Sequence, residues 1–270
     1  MSRSLALALS IACGAASVPA PAAAADELRY EVWPSVAITT GIGLVMAGEL
    51  AARGALAPES CSWCEPGGFD RSITEALAWE RHEWATTFSD VGLLLLPASA
   101  IVLGFAEDGA EDGAIDALVF GEAFAVNFLV TEALKFSVGR QRPMVLYLGE
   151  DHPKVSEHEK DWYVSFPSGH ASAAFTSVAA MATITDLRGR DPTAIWLIGI
   201  PAATAVAYFR VAGYHHWTTD VLAGAALGTV VGLAVPRLLH GPGGLTPRDE
   251  EEESGAGVRP VQVFQLGGSF

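Results

Sequence analysis

Apolar stretches of helical length recur along the chain and are separated by short polar segments. Six are present: residues 33–48, 91–106, 114–134, 171–185, 193–209 and 221–236. Each is close to the roughly 17 to 25 residues that a membrane-spanning helix needs, and five carry no charged residue. The pattern predicts an all-α fold, a six-helix bundle that crosses a membrane several times. A soluble bundle with buried helices is the alternative.

Two stretches depart from a simple apolar span. The third carries Asp116, Glu122, Asn127 and Glu132. The sixth contains the run Ala-Gly-Ala-Ala-Leu-Gly at 223–228, and such small residues allow close contact between helices. We therefore expect tight packing around the last helix.

Composition supports a membrane protein. Half of the residues are hydrophobic, 17% are charged and the mean hydropathy is +0.32, whereas soluble domains carry about a quarter charged residues. These values exclude a disordered chain. The net charge of −15 excludes nucleic-acid binding through a general positive field, so any phosphate chemistry needs a local cluster of cations.

The chain divides into four parts. Residues 1–25 have a basic start, a short apolar core and Ala23-Ala24-Ala25 before Asp26, which predicts a signal peptide. Residues 26–89 hold the first hydrophobic helix and a cysteine-containing loop, and residues 90–240 form the core. Residues 241–270, with their run of five acidic positions, are predicted to be a flexible tail.

The sequence Cys61-Ser-Trp-Cys64 favours a small loop disulfide, because an exported loop is oxidised. A zinc site would need two further ligands nearby. A thioredoxin-like redox site would need a strand-helix-strand context that the sequence lacks.

Two polar segments flank the loop before the fourth apolar stretch. Lys135 and Arg142, followed by Pro143, stand at the end of the third stretch. Pro167-Ser168-Gly169-His170 opens the fourth, where Ser168 can cap the helix and Gly169 allows close approach to the backbone. Free N–H groups at such a helix start attract anions. Taken singly, each segment is also typical of an ordinary helix end.

A third segment joins the fifth and sixth stretches and contains Arg210, His216 and Asp220. If the last helix begins near His216, Asp220 lies one turn later on the same face. A carboxylate that accepts a hydrogen bond from one imidazole nitrogen leaves the other free as a nucleophile. Together the segments bring three cations, two histidines and an aspartate to one end of the bundle, as phosphoryl transfer requires.

Lys-x6-Arg-Pro, Pro-Ser-Gly-His and Arg-x5-His-x3-Asp, in this order, resemble the three signature motifs of the type 2 phosphatidic acid phosphatase superfamily. The resemblance covers about residues 90–238. It implies His216 as the nucleophile, Asp220 as its orienting carboxylate and His170 as the acid that protonates the leaving oxygen and then activates water. The phosphate-binding residues that it implies are Lys135, Arg142, Ser168, Gly169 and Arg210.

The resemblance has one departure. The family commonly has Ser before the third-motif Arg, and this chain has Phe209. Arg140 and His215 lie beside motif residues but off the motif spacing, and we expect auxiliary roles for them. No metal or other cofactor is implied.

These features predict a phosphatase that hydrolyses phosphate monoesters or pyrophosphates, of the phosphatidate or isoprenyl pyrophosphate type, through a phosphohistidine. The expected partners are a phosphorylated lipid or small phosphate ester and the membrane, with no nucleic acid. The alternatives are a periplasmic acid phosphatase acting on soluble esters, a vanadium haloperoxidase, and a non-catalytic protein that binds phospholipids.

Arginines on the far side of the bundle predict an inner-membrane protein whose site faces the periplasm. A cleaved signal peptide followed by six crossings would instead place the site in the cytoplasm. An unprocessed N-terminal segment, a first helix that does not cross, or a bundle that does not span the membrane removes the conflict.

Overall fold

The computed structural model describes residues 32–242 together with Leu28 and Tyr30. The predicted signal peptide, and the predicted tail beyond residue 242, lie outside the described residues. Eight α-helices and no strand are present in the described part: α1 (Val32–Leu56), α2 (Gly68–Leu77), α3 (His82–Val138), α4 (Pro143–Leu148), α5 (Pro153–Ser156), α6 (Gly169–Leu187), α7 (Thr193–Ala212) and α8 (Thr218–His240).

Helix α3 folds back on itself at one residue. Gly109 has φ 79° and ψ −166°, a conformation that side chains strongly disfavour, and it divides α3 into an N-terminal arm (82–108) and a C-terminal arm (110–138). The arms are so close that a Cβ on Gly113 would lie 2.7 Å from Cα of Phe105. With this hairpin counted as two helices, the bundle has the six long helices that the apolar stretches predict, and the all-α fold class is confirmed.

Successive long helices run in opposite directions from the N-terminal arm of α3 onward, and α6 lies in the middle. Helix α6 is buried along most of its length and packs against α3, α7 and α8. Its Ala, Ser and Thr side chains are small enough to let these neighbouring helices pack closely around it. Consequently α1, the C-terminal arm and α7 end at the same end of the bundle at which the N-terminal arm, α6 and α8 begin. We call it the site end.

Four of the described helices, α1, α3, α7 and α8, are long and apolar enough to cross a membrane. Large apolar side chains on their outer faces, such as Leu44, Leu94 and Ile198, are about 70% exposed. Exposed apolar surface of this extent is typical of a protein solvated by lipid. The chain is therefore a multi-pass membrane protein.

Glycines on α8 set its distance from α6. Gly224, Gly228 and Gly232 follow one another at every fourth position and face the α6 backbone. A Cβ on Gly228 would lie 2.1 Å from the carbonyl oxygen of Ser172. Because both helices begin at the site end, their separation also fixes the spacing of the side chains that they present there.

We expect Gly228→Ala to destabilise the bundle by about 1–3 kcal/mol, since two helix backbones must move apart to admit the methyl group. The matched control is Gly43→Ala in α1, where nothing lies within 4 Å of the added Cβ. Thermal unfolding in detergent would measure both variants. Equal midpoints for the two would contradict the close contact.

Candidate active site

A cavity of about 310 Å³ opens at the site end. It is lined by Arg53, Thr86, Asp90, Lys135, Arg142, Met144, His158, Asp161, Gly169, His170, Arg210, His215 and His216. Six of the eight residues predicted to be catalytic or phosphate-binding are in this lining. The other two, Ser168 and Asp220, are fully buried behind it.

The His216 imidazole is held so that one nitrogen faces the cavity side. Its Nδ1 lies 2.7 Å from the main-chain oxygen of Ser165, which can only accept, so Nδ1 carries the proton. Its Nε2 lies 3.4 Å from Nη1 of Arg142 and keeps its lone pair. Burial, together with the charges of Arg142 and Arg210, holds the pKa of His216 well below its usual 6.5. The ring is therefore neutral at neutral pH, as a nucleophile must be.

The motif spacing predicts Asp220 as the acceptor for His216. In the structure Oδ2 of Asp220 is 3.8 Å from Nδ1, beyond hydrogen-bonding distance, and Ser165 provides the acceptor. Asp220 contributes indirectly, through residues on either side of the imidazole. Its Oδ2 accepts from Oγ of Ser165 at 2.6 Å and from the main-chain N–H of Trp217 at 2.8 Å. The carboxylate thus fixes the two segments that hold the imidazole.

Arg140 connects Asp220 to α2. Nη1 of Arg140 donates to Asp220 and to Thr219, and its Nη2 donates to Asp70 at 2.6 Å. Asp70 also accepts from the main-chain N–H of Thr219 at 2.8 Å and so caps the start of α8 from a different helix. Arg140 is 1% exposed. Its auxiliary role is thus to hold the start of α8.

The cysteine loop lies against this arginine. Cys61 and Cys64 are joined by a disulfide, and Trp63 between them lies over the guanidinium of Arg140 at 3.7 Å. Main-chain hydrogen bonds join Trp63 to Gly139 and to Gln141. The loop therefore covers the outer side of Arg140. The contact between the Trp63 ring and the guanidinium is a favourable cation–π interaction.

Lys135 and Arg142 form one side of the cavity. Nζ of Lys135 bonds to Glu132 at 2.5 Å and lies against α6, where a Cβ on Gly169 would be 2.9 Å from it. Nε of Arg142 donates to the carbonyl of Asp161 at 2.7 Å. Glycine at position 169 thus leaves room for the ammonium group of Lys135 beside the start of α6.

Arg210 enters from the end of α7. Its Nη1 lies 3.0 Å from Oγ of Ser89, 3.3 Å from Oδ1 of Asp90 and 3.5 Å from Nε2 of His170. The same Nε2 is 2.8 Å from Oδ1 of Asp90. Three cations and the second histidine therefore surround one cavity, which suits a dianionic phosphate.

Ser168 caps α6 rather than facing the cavity. Its Oγ accepts from the N–H of Ala171 at 3.4 Å, and its own N–H donates to the carbonyl of Asp220 at 3.0 Å. Only Gly169 of this pair lines the cavity. The N-terminal end of α6 is thus bonded to α8 close to His216.

Arg53 of α1 lines the cavity although no motif includes it. It bonds to Glu49 and Glu132, and its Nε and Nη2 bond to Asp161 at 3.2 and 3.0 Å. Burial raises the pKa of Asp161, but the positive charges of Arg142 and Arg53 outweigh this effect and hold the pKa below its usual value. Arg53 is thus occupied by carboxylates and joins α1 to the loop before α6.

Lys154 adds a positive charge behind Thr86, one of the residues that line the cavity. Its Nζ donates to Thr86 at 3.0 Å and to the carbonyl of Gly213 at 2.9 Å, and Thr86 also contacts Nε2 of His215. Burial and the nearby Arg210 lower the pKa of Lys154 from 10.5 to about 8. The side chain is charged below about pH 8 and neutral above it.

We expect the affinity for orthovanadate to fall about two- to fivefold as the pH rises through about 8, because Lys154 then loses its charge. In Lys154→Arg the part of the fall that comes from Lys154 should disappear, since arginine stays charged. Inhibition constants measured from pH 6.5 to 9.5 provide the test. The same pH dependence in both proteins would rule out Lys154 as its source.

The folded helices and this cavity define a class of protein: a multi-pass helical protein that presents a buried neutral histidine to a pocket lined by Lys135, Arg142 and Arg210. Among the described residues, no group of three or more His, Cys, Asp or Glu side chains is arranged to hold a metal ion.

Comparisons with known proteins name the family. Residues 116–242 match the family model of the PAP2 superfamily. A PA-phosphatase related-family protein of Dictyostelium discoideum is 30% identical over 128 residues, which are 44% of this chain and 46% of that protein. An undecaprenyl-diphosphatase of Sulfolobus acidocaldarius is 31% identical over 111 residues, 40% of this chain and 47% of that protein. The chain thus spans about half the length of these curated relatives.

Among the solved structures that are similar is a transmembrane PAP2 type phosphatidylglycerolphosphate phosphatase from Bacillus subtilis. It is 25% identical, with a TM-score of 0.45 over 74% of this chain and 93% of that chain. The match to the PAP2 superfamily model thus covers the part of this chain that carries the three motifs.

Proposed function

We propose that the protein is a phosphoric ester hydrolase that forms a phosphohistidine at Nε2 of His216. One observation carries the proposal: a neutral imidazole, fixed by Ser165, presents its lone pair beside Arg142 in a cavity that Lys135 and Arg210 also line. The cations stabilise the charge that spreads over the phosphoryl oxygens in the transition state. The names of the relatives, a PA-phosphatase related-family protein and an undecaprenyl-diphosphatase, support the same reaction class.

Phosphorylated lipids are the proposed substrates, because a cluster of aromatic side chains lies on the same helix turns as Asp90 and Arg210 of the cavity. Phe88 and Phe209 directly precede Ser89 and Arg210, and their rings lie 5.4 Å apart. Trp84 contacts Phe88, and both are about half exposed. Aromatic residues of this kind gather at the level of lipid headgroups. A phosphate can then enter the cavity while its hydrocarbon chain stays in the bilayer.

Phe209 thereby has a defined place. Its ring packs on Trp79 at 5.6 Å as well as on Phe88, so the position that commonly holds a serine contributes apolar surface here. We propose that this exchange favours lipid over soluble esters.

The test is release of inorganic phosphate by the purified chain in detergent. The substrates would be a long-chain lipid phosphate, an isoprenyl pyrophosphate, a short-chain alkyl phosphate and a sugar phosphate. We expect kcat/KM to rise with chain length and orthovanadate to inhibit. Equal rates on the sugar phosphate would favour the soluble-ester alternative, and no phosphate release from any ester would overturn the proposal.

We further propose that the protein lies in the inner membrane with its site end in the periplasm. Arg188, Arg190 and Arg237 stand at the opposite end, as the positive-inside rule expects of a cytoplasmic face. Helix α1 runs beside the C-terminal arm, with Thr39 against Gly121, which favours a crossing first helix and an unprocessed N-terminal segment.

Cysteine labelling tests this orientation. With the three native cysteines replaced by serine, Ser156→Cys reports on the site end and Glu111→Cys on the opposite end; both positions are exposed. A membrane-impermeant maleimide on intact spheroplasts should label only the first. The reverse pattern would place the site in the cytoplasm.

A further inference from the structure

Asp90 is a cavity residue that no motif includes. It lies on the N-terminal arm of α3, before the segment that matches the family, and its side chain is 55% exposed. Its Oδ1 is 2.8 Å from Nε2 of His170 and 3.3 Å from Nη1 of Arg210. The other carboxylate in the lining, Asp161, is bound to Arg53.

A carboxylate at this place is unfavourable for simple anion binding. Its negative charge faces a cavity whose cations would otherwise attract phosphate more strongly. It also accepts a hydrogen bond from the ring that would protonate the leaving oxygen. Arg210, 3.5 Å from Nε2, repels a proton on that ring, and Asp90 opposes this repulsion.

We propose that Asp90 is a positioning residue that orients His170 and favours the protonated ring that the general acid of the hydrolysis needs. This inference rests on the proposed function. A protonated imidazole has two N–H groups, so one can donate to Asp90 while the other faces the substrate. His170 and Asp90 then form a second histidine–carboxylate pair, on the leaving-group side of the cavity.

The proton balance of both steps runs through this pair. As Nε2 of His216 bonds to phosphorus and the ester P–O bond breaks, the proton of His170 passes to the leaving oxygen. Neutral His170 then takes a proton from the water that attacks phosphorus, and the bond to His216 breaks. Water and ester are consumed, alcohol and phosphate are formed, and His170 is again protonated.

Asp90→Asn separates this role from a structural one, because it keeps the size of the side chain and removes its charge. We expect kcat/KM on an alkyl phosphate, which reports formation of the phosphoenzyme, to fall about 10- to 100-fold, since its leaving oxygen needs the proton. On p-nitrophenyl phosphate, whose leaving group needs none, kcat/KM should change less than about threefold, while hydrolysis of the phosphoenzyme should slow equally for both esters. The inhibition constant of inorganic phosphate should fall, because a negative charge has left the cavity.

Asp112→Asn is the matched control. Asp112 is 53% exposed and also bonds to an arginine, Arg188, but at the opposite end of the bundle. It should leave both rates and phosphate inhibition unchanged. Asp90→Glu, which retains the carboxylate, should recover part of the rate on the alkyl ester.

The outcomes separate the two proposals. A wild-type chain that hydrolyses neither ester overturns the proposed function and this inference with it. An active wild type whose Asp90→Asn variant loses the same factor in kcat/KM on both esters, with phosphate inhibition unchanged or weaker, overturns this inference alone. Failure of Asp90→Glu to recover any rate beyond that of Asp90→Asn would also count against it.

Discussion

His216→Ala is expected to reduce phosphate release about 10³-fold or more on every ester, because the attacking atom itself is removed. The loss should not depend on the leaving group, since no covalent phosphoenzyme forms. Unlike Asp90→Asn, this variant should fail equally on p-nitrophenyl phosphate. Single-turnover assays with a ³²P-labelled ester, quenched in alkali to preserve phosphohistidine, would measure both the rate and the intermediate.

The control for this variant is His152→Gln. His152 lies outside the cavity lining, and its Nδ1 accepts from the main-chain N–H of Lys154. Its replacement should leave the rate within about threefold of wild type. A labelled phosphoenzyme that persists in His216→Ala would assign the nucleophile to another residue.

Arg140→Gln is expected to cost about 3–5 kcal/mol of unfolding free energy, the largest stability effect among these variants. Its removal would leave Asp70 and Asp220, both buried, without their shared cation. Activity should fall as well, because Asp220 no longer fixes the segments around His216. Arg140→Lys should recover little, since an ammonium lacks the planar fork that bonds to two carboxylates at once.

Arg71→Gln provides the comparison. Arg71 lies on α2 directly after Asp70, but its side chain is exposed. Its ion pair with Glu65 spans 3.6 Å. This substitution should change the unfolding free energy by less than about 0.5 kcal/mol. Denaturant unfolding followed by near-UV circular dichroism would compare them. Similar midpoints for Arg140→Gln and Arg71→Gln would show that the buried pair is dispensable.

The helices could be predicted from sequence because apolar length and composition are local signals. The sharp turn at a single residue of α3 could not, because residues 107–113 are acidic and typical of an exposed loop between two helices. In the structure the helix continues on both sides of Gly109, and Asp108, Asp112 and Asp116 pair with Arg188 and Arg190. Those pairs are between residues more than 70 positions apart, which no local pattern reveals.

The motif residues could be placed at one end of the bundle by the same local signals. The residues that form hydrogen bonds with the motif side chains could not be predicted in this way. Ser165 acts through its main-chain oxygen, which has no sequence signature, and Asp70 and Asp90 come from helices far from the motifs along the chain. The sequence did not single out Asp90, because an aspartate directly before an apolar stretch is typical of an ordinary helix start.

The capping of α8 by Asp70 bears on how parts of related proteins can be exchanged. The segment that the family shares begins at residue 116, yet Arg53, Asp70 and Asp90 all precede it. A chimera that joins residues 116–242 to the first helices of a relative would keep every motif residue. It would still lose Asp70, the acceptor for Nη2 of Arg140, unless that relative supplies a carboxylate at the same place. The smallest transferable unit is therefore the bundle from α1 onward, not the stretch that carries the motifs.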